Sequence, residues 1–339
     1  MAVAREWLRR GTEREVLLVG TERGMEAKLV RDAGLPFASI PVGGLKGIGG
    51  LRLLRNLALL GPAMAESNAI LGRKRFDAAF GVGGYASGPF LLAAAMAGVP
   101  TVIFEPNAEP GFTNRVLAGM VRRVAAAYPT AAARLGSRAV VTGSPVRAAF
   151  FEVPPKVHGA PFRLLITGGS QGSLVINRTV IDSLDALASR KNHLFVMHQS
   201  GERDYNAVRV AYARREFNAE VVPFISNMAE EFARADLIVC RAGAITAAEI
   251  SAAGRAAIFI PFGAATDSHQ LRNAQALESA GAARVIPEPQ LSPNRLVQEI
   301  SSLLDNPGRM EEMERRARAL AHPRATSEIV NLIEEVARA

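Results

Sequence analysis

Two doubly wound α/β domains joined by a linker are what this sequence predicts, and three observations predict it. Short apolar runs alternate with helical patterns along the chain, which is how parallel sheets built from βα units read. The segment Phe151–Pro161, FEVPPKVHGAP, carries three prolines and little periodicity, and it divides those runs into two series. At 339 residues the chain also exceeds what one core usually organises, since domains stop growing at roughly 250 residues.

The first series comprises Glu15–Gly20, Phe37–Pro41, Asp77–Val82, Thr101–Glu105, Arg123–Tyr128 and Ala139–Thr142. The second comprises Arg163–Thr167, Leu194–Gln199, Glu220–Phe224, Leu237–Cys240, Ala257–Ile260 and Ala283–Ile286. The expected division is a first domain over 1–150, a linker over 151–161, a second domain over 162–321, and a terminal helix over 322–339 that returns to the first domain. Met310–Ala339 reads as charged helices forming a solvated scaffold. Two such domains enclose a cleft, and ligands of open α/β sheets bind beyond the carboxyl ends of the strands. The opening is irregular: Met1–Arg10 has the pattern of an amphipathic helix, and the first strand pattern comes only at Glu15. A doubly wound domain normally begins with a strand and a glycine turn before its first helix.

Composition narrows the function classes. The chain is 49% hydrophobic and 21% charged, as a packed α/β protein should be. No stretch reaches the roughly 18 uncharged apolar residues of a spanning helix, and MAVAREWLRR lacks the long apolar segment of a secretory signal, so a cytoplasmic location is expected. Cys240 is the single cysteine, which excludes an intrachain disulfide and a multi-cysteine metal site; it reads as a small buried hydrophobe. The formal charge of +8 suits an anionic partner. Aromatic-interleaved basic runs and zinc-finger spacings are missing, so no nucleic-acid partner is expected.

Ile166–Gly172, ITGGSQG, is the strongest local signal: an apolar run passes straight into glycines and then into the helical pattern Ser173–Leu187. Glycines let backbone approach a phosphate, the following helix presents unpaired N–H groups at its positive end, and Ser170 adds a hydroxyl. Cys240–Ser251, CRAGAITAAEIS, sets a turn at Arg241–Gly243 and a helix carrying Glu249 in its second turn, where a carboxylate can accept from both hydroxyls of a ribose. The small neighbours Ala244, Ala247 and Ala248 leave room for a ligand; a solvated helix glutamate is the plainer alternative. In Pro261–Asn273 the polar residues Asp267, His269 and Gln270 follow a strand and lie at the same edge.

In the first half, GVGGYASGP at Gly81–Pro89 and FEPNAEPGFTN at Phe104–Asn114 both follow strands. Glu105, Asn107 and Asn114 are polar groups in apolar surroundings there, with turn bonding as the rival account of the asparagines. Gly43–Leu60, GGLKGIGGLRLLRNLALL, combines leucines with Lys46, Arg52 and Arg55. That mixture suits an anionic lipid surface, although a buried helix explains Leu53, Leu54 and Leu57 equally well.

Taken in order, these motifs resemble the MurG family, and the likeness runs through GTERGMEAKLV at Gly20–Val30, GVGGYASGP, EPNAEPGFTNR, GSPVR at Gly143–Arg147, GGSQG, HQSG at His198–Gly201, PFISNM at Pro223–Met228, CRAGAITAAE and TDSHQLRNA. The resemblance implies the two-domain GT-B fold. It implies inverting transfer of N-acetylglucosamine from UDP-N-acetylglucosamine to the 4-hydroxyl of the muramoyl group of undecaprenyl-linked lipid I, giving lipid II for peptidoglycan. It implies a peripheral location at the cytoplasmic face of the bacterial inner membrane, with no cofactor or required metal. By motif position, Ile225 would hold uracil through its backbone, Glu249 the ribose, and Ser170 with Arg147 the diphosphate. Asn107, Gln270 and the stretch Ala244, Ile245, Thr246, Ala247 and Ala248 would border donor sugar or phosphate. Tyr85, Asn114, Asn177 and Arg241 also occupy motif positions.

The family pattern opens with a strand and a second glycine loop, GGTGGH, whose histidine is a candidate base. Met1–Trp7 corresponds to the helix after that block. The expectation is therefore a gene product that starts upstream, the alternative being a shortened, inactive chain. In strand order 3-2-1-4-5-6 loss of the first strand leaves a gap of roughly 5 Å between its two neighbours. Phe104 and Pro106 stand where many relatives read HEQN, and Glu105 is the substitute base the chain offers. A diacylglycerol-directed GT-B enzyme, a UDP-sugar-binding protein without turnover, and a basic nucleic-acid-binding module remain the rival readings.

Overall fold

The computed structural model describes residues 1–22, 25–42, 59–263 and 268–338, with backbone alone at 25, 26, 28, 29, 85 and 86. Residues 43–58 of the segment for which a lipid surface is one reading, Asp267 and the Tyr85 side chain thus lie outside the described residues. The chain forms two compact units, Met1–Pro145 with Arg324–Ala339, and Val146–Pro323. In chain order the strands are β1 (Leu18–Gly20), β2 (Phe37–Ser39), β3 (Ala79–Gly81), β4 (Thr101–Glu105), β5 (Arg123–Ala126) and β6 (Ala139–Val141) in the first unit. The second unit has β7 (Phe162–Thr167), β8 (Leu194–Gln199), β9 (Ala219–Val222), β10 (Leu237–Cys240), β11 (Ala257–Phe259) and β12 (Arg284–Val285). Every predicted apolar run overlaps one of them.

In the second unit the order is β12-β11-β10-β7-β8-β9, with every pairing parallel. The first strand in sequence, β7, is therefore central, and all four residues of β10 beside it are fully buried. Burial on both faces is why these strands read as unbroken apolar runs rather than as alternation. Leu164 and Ile166 of β7 share a core with Ile176 and Val180 of helix Leu174–Ser183 and with Leu296, Ile300 and Leu303 of helix Pro293–Leu304. Topology brings the ends of β7 and β10 together: Thr167 is in register with both Cys240 and Gln199.

In the first unit, β3-β4-β5-β6 form one parallel sheet and β1-β2 form a separate pair. Among the described residues β1 and β3 are thus each a sheet edge, although helix Gly84–Met96 packs against both. The other face of β4 and β5 is closed by helix Ala325–Arg338, whose Ile329, Ile333 and Val336 pack on Val102, Phe104, Ala125 and Ala127. The terminal helix thus belongs to the first unit, with an apolar face against the sheet as well as the charged face seen in the sequence. The helix is amphipathic: Glu334 pairs with Arg10 at 3.1 Å and Arg14 at 2.7 Å, and Glu335 pairs with Arg123 at the start of β5 at 2.5 Å. Helix Ala2–Arg9 is anchored there through Arg10, which also donates to the Ser327 carbonyl at 3.0 Å.

Candidate active site

The GGSQG turn forms where β7 ends. Thr167 Oγ1 accepts from the Gly169 N–H at 3.2 Å, and the Gly172 N–H donates to the Gly169 carbonyl at 2.8 Å, closing the turn. Ser173 then caps helix Leu174–Ser183, its hydroxyl accepting from the Ile176 N–H. Gln199, at the end of β8, donates to the Gly169 carbonyl at 2.9 Å and accepts from Thr167 Oγ1 at 3.2 Å. Gly169 and Ser170 stand exposed at the tip. The turn is held by its own hydrogen bonds and by a neighbouring strand, with its tip free for a ligand.

That tip forms one wall of a cavity lined also by Arg147, Phe224, Ile225, Thr246 and Glu249. Its floor includes Cys240, whose thiol is pushed up by burial and by the nearby Glu249 charge. Glu249 rises from helix Ala244–Ala253 with 13% of its side chain exposed, and Arg147 Nη2 lies 3.3 Å from its Oε1. Burial pushes this carboxyl above its ordinary range, and Arg147 opposes the push. Arg147 is in turn stacked over Phe150, 4.9 Å from the ring centroid. One end of the cavity is therefore an exposed glycine turn at a helix N-terminus, which suits an anion. The other end offers a shielded carboxylate, which suits hydroxyl donors.

Arg241 lines the same cavity but is already committed. It donates to the Ile260 carbonyl at 3.1 Å and to Ser173 Oγ at 2.8 Å, and pairs with Glu288 at 2.5 Å. It ties the helix after the glycine turn to the segment after β11. Gln270 is not in the cavity wall; its Oε1 accepts from the Phe262 N–H at 3.0 Å and holds the start of that segment. Of Ala244–Glu249, Thr246 and Glu249 line the cavity. Ile245 is 66% exposed outside it, and Ala244 and Ala248 are half-buried. Two expected contacts are corrected. Ala247 is completely buried and its N–H bonds to the Gly243 carbonyl, so it is helix scaffold. Asn177 is 1% exposed and bonded throughout, so it faces no ligand.

Sequence reasoning did not single out Thr167, Gln199, Phe224, Ser226, Met228 or Phe232, all of which line the cavity. The signal was present for several of them: Gln199 lies within HQSG, and Phe224, Ser226 and Met228 within PFISNM.

In the first unit the residues picked from Phe104–Asn114 converge on one carboxylate. Glu105 is 1% exposed. Its Oε1 accepts from the Asn107 N–H at 2.9 Å and Asn107 Nδ2 at 3.1 Å; its Oε2 accepts from the Gly111 N–H at 2.8 Å and Asn114 Nδ2 at 2.9 Å. Asn114 also donates to the Phe104 carbonyl at 3.1 Å. Four donors saturate the carboxylate, so its assignment as a catalytic base is corrected. Glu105 shapes the loop, and a proton acceptor would need lone pairs that are occupied here.

The Glycosyltransferase family 28 N-terminal domain matches residues 1–126, and the Glycosyltransferase family 28 C-terminal domain matches residues 163–332. The UDP-N-acetylglucosamine--N-acetylmuramyl-(pentapeptide) pyrophosphoryl-undecaprenol N-acetylglucosamine transferase of Myxococcus xanthus is 44% identical over 98% of this chain and 88% of its own length. The protein of the same name from Syntrophus aciditrophicus is 43% identical over 98% of this chain and 92% of its own. The crystal structure of Acinetobacter baumannii MurG superposes with a TM-score of 0.82 at 33% identity, covering 98% of this chain and 94% of that one.

Proposed function

The chain belongs to the MurG family of GT-B glycosyltransferases, and on that premise we propose that it moves N-acetylglucosamine from UDP-N-acetylglucosamine to lipid I, yielding lipid II for peptidoglycan. The observation that carries this is the cavity of the second unit, where the exposed Gly169–Ser170 tip, Arg147, Ile225 and Glu249 surround one space. Spacing and chemistry suit a uridine diphosphate: ribose hydroxyls on Glu249, uracil along the Ile225 backbone, phosphates on the Ser170 turn with Arg147.

Inverting transfer is a direct displacement in which the diphosphate leaving group gains negative charge. The amides of the turn, the positive end of helix Leu174–Ser183, Ser170 and Arg147 are placed to stabilise that charge. Arg147 reaches one oxygen of Glu249, at 3.3 Å, and a carboxylate has acceptor sites enough to take ribose hydroxyls beside that contact.

The acceptor and the membrane are assigned to the first unit. Phe112, Val116 and Met120 are 58%, 55% and 46% exposed. Their spacing of four places Phe112 and Val116 on one face of helix Phe112–Leu117, with Arg115 and Arg122 exposed among the three. An apolar and basic surface suits peripheral attachment to the anionic cytoplasmic leaflet. No helix among the described residues is long and apolar enough to cross a membrane.

The test is transfer from UDP-N-acetylglucosamine in the presence of lipid I or of diacylglycerol, read by product mass. Lipid II formation is expected. Transfer to diacylglycerol instead, or UDP binding without any product, would overturn the reading. Sedimentation with anionic vesicles, weakened when Phe112 and Val116 are replaced by serine, checks the membrane assignment.

A further inference from the structure

The second unit contains a chain of buried polar groups that reaches the cavity only through backbone. Asn177 is 1% exposed, His198 is fully buried and Tyr212 is 3% exposed. Asn177 Nδ2 lies 2.8 Å from the Ser200 carbonyl and 2.8 Å from Asp204 Oδ2. Its Oδ1 lies 3.1 Å from His198 Nε2, and His198 Nδ1 lies 3.1 Å from the Tyr212 hydroxyl.

The direction of every bond follows from the ends. A carbonyl and an ionised carboxylate only accept, so both N–H bonds of the Asn177 amide point at them and its oxygen faces His198. His198 therefore carries its proton on Nε2, its Nδ1 accepts, and Tyr212 donates. Burial holds the His198 imidazole down at about 3 and pushes the Tyr212 hydroxyl up. Both stay neutral near pH 7, and the chain keeps one orientation.

What this chain fixes is the Ser200 carbonyl, and the glycine turn rests on it. A Cβ on Gly172 would stand 2.0 Å from Ser200 O, and one on Gly201 would stand 2.3 Å from Gln171 O. Both glycines also have left-handed backbone, with φ of +72° and +77°. The two turns interlock backbone against backbone, so a displacement of Ser200 is passed to Gly172 and hence to Gly169 and Ser170.

We propose that Asn177, oriented by His198 and Tyr212, is a positioning residue for the donor diphosphate, setting through Ser200 the place at which the Gly169–Ser170 tip meets the phosphates. The proposal rests on the reading of that tip as the diphosphate seat. A polar cluster that served only stability would alter affinity for every part of the donor alike, or for none.

The experiment is calorimetric titration of the full chain with UDP and with uridine, in the wild type and in Asn177→Asp and Tyr212→Phe. Asn177→Asp keeps the shape and the acceptor for His198 but turns a carboxylate oxygen on Ser200 O and Asp204. Tyr212→Phe removes one donor with little change of volume, and it supplies the answer if the first variant does not fold. UDP affinity is expected to fall about tenfold or more in Asn177→Asp and about threefold in Tyr212→Phe, while uridine affinity stays within about twofold. In the transfer assay the KM for donor rises and that for lipid I does not. Equal losses for UDP and uridine, or unchanged UDP affinity in a folded variant, would overturn the positioning role alone. A wild-type chain that binds uridine and UDP equally would overturn the diphosphate reading of the tip as well.

Discussion

Glu249 and Glu105 are both carboxylates in polar motifs, and the difference between them lies in their neighbours. Glu249 faces a cavity and has one ion-pair partner at 3.3 Å; Glu105 is enclosed by four donors from its own loop. Glu249→Gln should therefore raise the KM for donor by about 10- to 100-fold with a smaller effect on kcat, since hydrogen bonds to a charged group are worth roughly 1.5–3 kcal/mol. Steady-state kinetics with varied UDP-N-acetylglucosamine checks this. Glu105→Gln should lower activity and melting temperature together and leave the pH dependence of kcat in place, because a loop anchor is lost rather than a proton acceptor. A displaced acid limb in the pH profile would restore Glu105 as the base. Sequence patterns separate such residues poorly: what distinguishes them is which donors the folded chain brings within 3 Å. Ser170 and Glu249 were legible because a glycine turn and a helix start mark their places locally. The contact of Gln199 with Gly169 was not, although HQSG marks the residue, because it depends on the register of β7 with β8, in which Thr167 meets Gln199.

At the scale of elements the strands were legible nearly in full, since burial on both faces leaves little choice but Val, Ile, Leu, Ala and Phe in short runs. The segment Val153–His158 was less so. Its prolines and lack of periodicity say linker, yet it is bound tightly into the second unit. Arg255, completely buried, donates to the Pro154 carbonyl at 2.8 Å and the Phe232 carbonyl at 2.7 Å, and Arg318 donates to the Val153 carbonyl at 2.8 Å. The His158 side chain is buried between Asp236 at 2.9 Å and Glu314 at 3.4 Å. Burial disfavours the charge on His158, but its hydrogen bond to Asp236, its pairing with Glu314 and the charge of both carboxylates outweigh this and raise it to about 9. A group whose folded value lies above its unfolded value near 6.5 stabilises fully below that pH and loses the contribution as pH rises through 9. Melting temperature should accordingly fall between pH 6.5 and 9, by up to about 1.4 kcal/mol of stability per pH unit. His158→Gln should flatten that slope and, by removing the nearest cation from two buried carboxylates that keep only Lys156 and Arg255 at 3.8 Å, lower stability at pH 6 by up to about 3 kcal/mol. A variant with the wild-type slope would place the titration elsewhere.

Across the whole molecule the two units are built alike but closed differently. In the second, β7 is paired on both sides and sits at the centre of a six-stranded sheet. In the first, β1-β2 stand apart from β3-β4-β5-β6, so each of β1 and β3 has an edge that no strand among the described residues pairs with. A two-stranded sheet is marginal without a larger partner, and what holds β1 here includes packing against helix Gly84–Met96. Local opening should then differ in kind. Amides of β7 and β10 exchange only with global unfolding of their unit, whereas those of β1 and β2 exchange through a much smaller opening. Hydrogen exchange read by mass spectrometry should show β1–β2 peptides exchanging at least about 100-fold faster than β7 peptides, a difference of roughly 2.7 kcal/mol. UDP sharpens the contrast, because every residue lining the cavity belongs to the second unit. At 100 times its dissociation constant a ligand stabilises the unit that binds it by about 2.7 kcal/mol. Protection should rise in Phe162–Thr167 and Leu237–Cys240 and stay unchanged in Leu18–Gly20 and Phe37–Ser39. Equal protection of both units by UDP would mean that their stabilities are coupled, and the two-sheet architecture of the first would then not set its own rate of opening.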